Sequence, residues 1–212
     1  MIAPEGKIIL IPLLLVFLAS TGVHSYYPTE VLKWGNLVLA VFLLFTLYFF
    51  RDPQRILPKN EDFLSPADGK VVQIINLKDS EIGSAIQISI FLSVFNVHSQ
   101  RVPVSAKVVS KHYNLGKFLA AYNHKASSDN EQAVVLFKTS KGDQFKIKQI
   151  AGLVARRILN YMEPEDMVQR GQRLGFIRFG SRVDIILPKD FQIDVSLGDM
   201  VHSNQTIIGR FL

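Results

Sequence analysis

The sequence predicts a mostly-β domain of small sandwich or barrel type, preceded by two apolar helices that form a transmembrane hairpin. Three observations predict it. Two apolar segments, Ile8–Ala19 and Leu37–Phe50, lie close together near the start of the 212-residue chain. From Arg51 onward the pattern changes to short runs rich in Val, Ile and Phe, separated by Gly, Asp, Asn or Pro, as in alternating strands and turns. Late in the chain, Asp166-Met-Val-Gln-Arg-Gly-Gln-Arg-Leu-Gly175 is echoed by Asp199-Met-Val-His-Ser-Asn-Gln-Thr-Ile-Ile-Gly209. The expected division is residues 1–50 for the hairpin and 51–212 for the β domain.

The first apolar segment is broken only by Pro12 and is followed by a polar stretch, Ser20–Glu30. It reaches the roughly 17–25 residues needed to span a bilayer if its flanks contribute. The second reaches that length with Val31, Leu32 and Trp34, provided that Lys33 snorkels to the interface. A signal peptide (Lys7, then Leu18-Ala-Ser20) and a buried helix pair are the other readings. A membrane hairpin accounts for both segments and for Tyr26, Tyr27 and Trp34 between them, residues that favour the bilayer interface. Lys7 before the first passage, with Arg51 and Arg55 after the second, places both ends in the cytoplasm.

Downstream, strands are expected at 71–77, 85–94, 104–113, 133–139, 144–151 and 183–187. Glu81-Ile-Gly83 and Lys141-Gly-Asp143 supply turns. Residues 116–124 are the best candidate for a short helix, and 153–162 fits either period. Each of the two similar segments reads as an acid, an apolar pair, a turn and a strand, that is, a hairpin. Lipoyl- and biotinyl-type sandwiches use such hairpins, and Pro66-Ala-Asp-Gly-Lys-Val71 resembles their first strand; this is analogy of fold only.

The chain has no cysteine, which excludes disulfides, thiolate nucleophiles and cysteine-based metal sites. His24, His98, His112, His124 and His202 are scattered, so no metal site is expected. The formal net charge of +6 suits an anionic partner. No basic run interleaves with aromatics as nucleic-acid binding would require. Arg51, Arg55, Lys59 and Lys70 follow the second apolar segment and suit an anionic membrane surface.

Three motifs carry candidate chemistry: Ser65-Pro-Ala-Asp-Gly69, Phe95-Asn-Val-His-Ser-Gln-Arg-Val-Pro103 and Gly175-Phe-Ile-Arg-Phe-Gly-Ser-Arg-Val-Asp184. They supply an acid, an imidazole and a hydroxyl, the groups of a Ser/His/Asp triad, in the order Asp68, His98, Ser181. Taken singly, Asp-Gly after Pro is a turn, a histidine at a strand end is a polar cap, and Gly-Ser is a turn signal. Together, and in this order, they resemble the phosphatidylserine decarboxylase proenzymes, in their short membrane-bound bacterial form, from about Phe49 to the C-terminus.

That resemblance implies self-cleavage between Gly180 and Ser181 into chains 1–180 and 181–212, which stay associated as a heterodimer or higher oligomer. Ser181 would attack the carbonyl of Gly180, whose lack of a Cβ leaves that carbonyl open, and would end as a covalent pyruvoyl cofactor. Serine needs a base to take its proton; His98 is the candidate, oriented by Asp68. The resemblance also implies decarboxylation of phosphatidylserine to phosphatidylethanolamine and CO2, on the cytoplasmic face of a bacterial inner membrane. The chain departs from the family in two places. Phe95 stands where a second histidine is common, leaving His98 alone. Arg182 replaces a threonine, and its guanidinium suits a substrate phosphate. Asn130, Glu131 and Gly152 also resemble family positions and read as structural or pocket-lining. Two rivals remain: a membrane-tethered lipoyl-like adaptor without catalysis, and a serine hydrolase that does not cut itself.

Overall fold

The computed structural model describes residues 1–60, 62–116, 130–152, 158–178 and 181–212, and it divides into two compact units, Met1–Gln54 and Arg55–Leu212. In the first unit, α1 (Lys7–Tyr26) and α2 (Glu30–Phe49) are each 20 residues long. At 1.5 Å per residue that is about 30 Å, the thickness of a hydrocarbon core. Both helices are long and apolar enough to cross a membrane. Their apolar side chains, Leu14, Leu15, Val38, Phe42 and Leu44 among them, stand exposed, so the helices present an apolar surface of the kind lipid covers.

The start of α2 is set by Thr29, whose hydroxyl accepts from the Leu32 N–H at 3.3 Å, with Glu30 favourably placed at the positive helix end. At the other end of the hairpin, the Ala3 N–H donates to the Phe50 carbonyl and the Asp52 N–H to the Met1 carbonyl, both at 2.7 Å. The two chain ends of the hairpin therefore meet on one side. Tyr26, Tyr27 and Trp34 are exposed at the opposite end.

The second unit is almost wholly β, as expected. Its strands are β1 (Phe63–Leu64), β2 (Gly69–Asp79), β3 (Gly83–Leu92), β4 (Ser99–Arg101), β5 (Ala106–Asn114), β6 (Gln132–Lys138), β7 (Gln144–Ala151), β8 (Ile158–Asn160), β9 (Met167–Val168), β10 (Arg173–Ile177), β11 (Ser181–Pro188), β12 (Gln192–Ile193), β13 (Met200–Val201) and β14 (Ile207–Arg210). Eight of them form one antiparallel sheet in the order β13-β2-β3-β11-β7-β6-β5-β9, and two three-stranded sheets, β4-β10-β8 and β1-β14-β12, complete the unit. The core lies on one face of the large sheet, where Ile88, Ile90, Val135, Ile147, Val183 and Ile185 are buried together.

The turns expected from Gly83 and Gly142 are present, with φ of 85° and 100°, backbone that favours glycine. Gly69 has a different reason. A Cβ there would sit 2.2 Å from the Phe91 carbonyl oxygen, so only glycine lets β2 begin this close to β3. The helix expected at 116–124 lies, from 117 on, outside the described residues, as does the first part of the 153–162 stretch; 158–160 is strand β8.

The two similar segments require a correction. Each does give a short Met-Val strand, a turn and a second strand, but these do not pair as hairpins. The Met-Val strands, β9 and β13, join opposite edges of the eight-stranded sheet, while β10 and β14 are the middle strands of the two small sheets. The repeat is a crossover between layers. The sequence pattern is the same for both arrangements, because strand partners are chosen by tertiary packing.

Candidate active site

Side chains alternate between the two faces of a strand, and on β11 this alternation separates two chemistries. Val183, Ile185 and Leu187 enter the core, and Ser181 shares their face. Arg182 and Asp184 point the other way. Ser181 is fully buried, paired with Leu92 of β3 and Ala151 of β7. Its hydroxyl oxygen has no hydrogen-bond partner among the described residues. A buried hydroxyl without a partner is costly and calls for an explanation, a catalytic role being one. Gly180, the other half of the expected cleavage site, lies outside the described residues.

His98 approaches from the connection between β3 and β4. β3 ends at Leu92, opposite Ser181, and β4 begins at Ser99, opposite Phe176 of β10. The connection 93–98 therefore starts opposite Ser181 and ends opposite Phe176, which brings His98 and Ser181 to one end of the sheet. Asn96 shapes the His98 turn: its side-chain oxygen accepts from the Ser93 N–H and hydroxyl at 2.9 and 2.8 Å. The Asn96 carbonyl lies 3.0 Å from His98 Nδ1. A carbonyl only accepts, so in the neutral ring Nδ1 carries the proton and Nε2 the basic lone pair. The ring is fully buried and packs 6.3 Å from that of Phe176.

Asp68 lies at the same end, just before β2 and two strands from Ser181, about 10 Å between backbones at ordinary strand spacing. Among the described residues its contacts run to groups other than His98, where the sequence reading expected the imidazole. Its carboxylate is held in a fork by Arg55, at 2.5 and 2.6 Å, accepts from the Ser203 N–H at 2.9 Å, and faces His202 Nδ1 at 3.4 Å. Arg55 also donates to the Ser203 carbonyl and hydroxyl. Burial works to raise the Asp68 carboxyl, but the Arg55 and Ser203 hydrogen bonds, the Arg55 charge and His202 outweigh it and hold it below the ordinary carboxylate value. A nearby guanidinium outcompetes an imidazole for a carboxylate because it is always charged and offers two parallel donors. Arg55, read from sequence as a membrane-facing cation, is this carboxylate's counter-ion.

Arg182 is corrected too. Only 1% of it is exposed, and it donates to Asp184 at 2.5 Å and to Gln73 and Ser89 at 2.6 Å each. Buried and so engaged, it is a structural cation on the face of the sheet opposite Ser181, not a contact for a phosphate. Lys146, on that same face, is buried against Asp79 at 2.5 Å and Glu81 at 2.6 Å.

Two further features flank Ser181. Asn130 donates to the Ala151 carbonyl at 2.7 Å, and Tyr113 hydrogen-bonds Glu131. The Ala151 N–H donates to the Glu131 carbonyl at 2.9 Å, so Glu131 lies in line with Ala151 and Ser181 across the sheet. Sequence reasoning missed Gln100 and Gln149, both fully buried. A signal existed for Gln149: the alternation Phe145, Ile147, Gln149, Ala151 places a polar amide on the core face. Among the described residues, no group of three or more His, Asp or Glu is placed to hold a metal ion.

Comparison with known proteins adds family. The model of the phosphatidylserine decarboxylase family matches residues 42–209. The chain is 48% identical over 178 residues to the phosphatidylserine decarboxylase proenzyme of Geotalea uraniireducens, covering 81% of this chain and 84% of that protein. It is 46% identical over 178 residues to the protein of the same name from Desulfotalea psychrophila, covering 81% and 83%. With the Neisseria gonorrhoeae protein of that name it shares 48% over 179 residues, covering 84% and 69%. The chain belongs to the phosphatidylserine decarboxylase family.

Proposed function

We propose that this family member cuts itself at Gly180–Ser181, turns Ser181 into a pyruvoyl group, and decarboxylates phosphatidylserine to phosphatidylethanolamine and CO2 at a membrane surface. The observation that carries the proposal is Ser181 itself: a buried hydroxyl with no partner among the described residues, on the first residue of β11, beside the turn that carries His98.

The chemistry follows from those groups. His98, with Nδ1–H anchored on the Asn96 carbonyl, offers Nε2 as the base for the Ser181 hydroxyl. The alkoxide attacks the Gly180 carbonyl carbon; the C–N bond breaks, the Ser181 nitrogen takes up a proton, and an ester replaces the amide. Removal of the Ser181 α-proton then expels the Gly180 carboxylate from Cβ and leaves dehydroalanine, which water converts to a ketone with release of ammonia. The residues present fit this product: Ser181 is enclosed by Leu92 and Ala151 and has no competing hydrogen bond to lose. The pyruvoyl carbonyl supplies an electron sink for a substrate amine. His98 is then the proton donor for the carbon that loses CO2.

The two apolar helices hold the domain at the bilayer that contains its lipid substrate, raising the effective concentration. With Lys7 and Arg51 flanking the pair, the domain faces the cytoplasm. The chains 1–180 and 181–212 remain together because β11 is hydrogen-bonded between β3 and β7.

Intact mass under denaturing conditions tests the proposal. Two chains are expected, divided before Ser181, the smaller lacking a free amine at its start. A single uncut chain that turns over phosphatidylserine would overturn it.

A further inference from the structure

We infer that Gln100, Gln149 and Asn160 are positioning residues for His98, acting as one directional chain of amides that starts at half-buried Asn160 and runs through the two buried glutamines. The Met162 N–H donates to Asn160 Oδ1 at 3.0 Å; Asn160 Nδ2 donates to Gln149 Oε1 at 2.7 Å; Gln149 Nε2 donates to Gln100 Oε1 at 2.9 Å; and Gln100 Nε2 donates to the His98 carbonyl at 2.8 Å. The two ends decide the orientation of everything between them. A backbone N–H only donates and a backbone carbonyl only accepts, so each side-chain amide has one satisfying arrangement. Every link points toward His98.

The surroundings are built for this chain. Gln100 and Gln149 are fully buried, where hydrogen bonds in series polarise one another and an unmatched polar group is costly. Gly175 makes room: a Cβ there would sit 2.6 Å from Gln149 Nε2 and 2.2 Å from the Leu159 carbonyl oxygen. The chain ties β7, β4 and β8 together at the residue that presents the imidazole. The His98 ring is anchored at Nδ1 by the Asn96 carbonyl, and its backbone carbonyl by Gln100.

This inference rests on His98 acting as the base for Ser181, so its test is the rate of self-cleavage of freshly synthesised full-length precursor, with turnover per matured chain as a second reading. Gln149→Glu changes one donor into an acceptor facing Gln100 Oε1, and Asn160→Asp does the same one link further out. A base displaced by a fraction of an ångström loses rate steeply. Gln149→Glu should lengthen the cleavage half-time about tenfold or more, and Asn160→Asp less. Both should retain the wild-type far-ultraviolet circular dichroism. Gln149→Leu, which removes the amide without adding charge, should also slow cleavage, so that the effect follows the lost hydrogen bond rather than the new carboxylate. Folded Gln149→Leu and Asn160→Asp precursors that cleave at the wild-type rate would overturn the inference. Wild-type precursor that never cleaves would instead sink the self-processing proposal on which it stands.

Discussion

Ser181 and Arg182 are neighbours in sequence and opposites in structure. One faces the core of the domain with an uncommitted hydroxyl; the other faces the far side of the same strand, with its guanidinium bound to Asp184, Gln73 and Ser89. Both are buried, so burial alone does not distinguish them. The difference is commitment. Arg182 has its hydrogen bonds filled, while the Ser181 hydroxyl, proposed to react, is one of several buried polar atoms without a partner among the described residues. The contrast between Asp68 and His98 repeats the lesson, since the carboxylate that resembles a catalytic acid is filled by Arg55.

The comparison can be broken or sharpened in four ways. The largest effect is expected at Ser181→Ala, which should give one uncut, inactive chain by gel and mass. Because it deletes an unpartnered buried hydroxyl, its Tm should be no lower than that of the uncut wild type; a large drop in Tm would show that the hydroxyl holds the fold after all. Next is His98→Ala, which should slow cleavage by about 10²–10⁴-fold and lower turnover per matured chain as well. Near-normal turnover in the matured fraction would remove His98 from the decarboxylation step.

On the committed face, Arg182→Leu removes the guanidinium that pairs the buried Asp184 carboxylate and should cost about 3–5 kcal/mol in urea unfolding. Replacing both members, Arg182→Met with Asp184→Leu, should recover most of that loss, because a buried ion pair is weak evidence of net stability. Equal destabilisation by the single and double variants would refute the pairing.

The smallest effect belongs to Asp68→Asn, at about 1–3 kcal/mol, and it should depend on pH. Since folding lowers the Asp68 pKa, its contribution is present above the unfolded value near 4 and is lost as pH falls through the lower folded value. The stability gap between wild type and Asp68→Asn should hold at pH 7 and shrink in acid. A gap that widens on acidification would contradict the Arg55 pairing.

Most of the architecture was legible in the residues. Strand positions followed from period-two alternation, as at 144–151, and turns from Gly83 and Gly142, because both depend on local backbone preference and on which face meets water. Ser181 and His98, the residues of the proposed chemistry, were picked out through their motifs. The Asp68–Arg55 pair was not, because a carboxylate's partner is fixed by proximity in space, and Arg55 lies outside every motif. The amide chain was partly legible, in the polar Gln149 on a core-facing position, but Gln100 and Asn160 gave no comparable sign.

By itself the sequence determined two apolar helices, a β domain, and an acid, an imidazole and a hydroxyl in family order. These are properties of composition, periodicity and local motif, all carried by adjacent residues. Only the tertiary structure decided which groups are paired. It sent the two repeats to opposite edges of one sheet instead of into hairpins, turned Arg182 away from Ser181, gave Asp68 to Arg55, and ran three amides toward His98. Hydrogen bonds and ion pairs are short-ranged and saturable, so their assignment waits until the strands have chosen their neighbours.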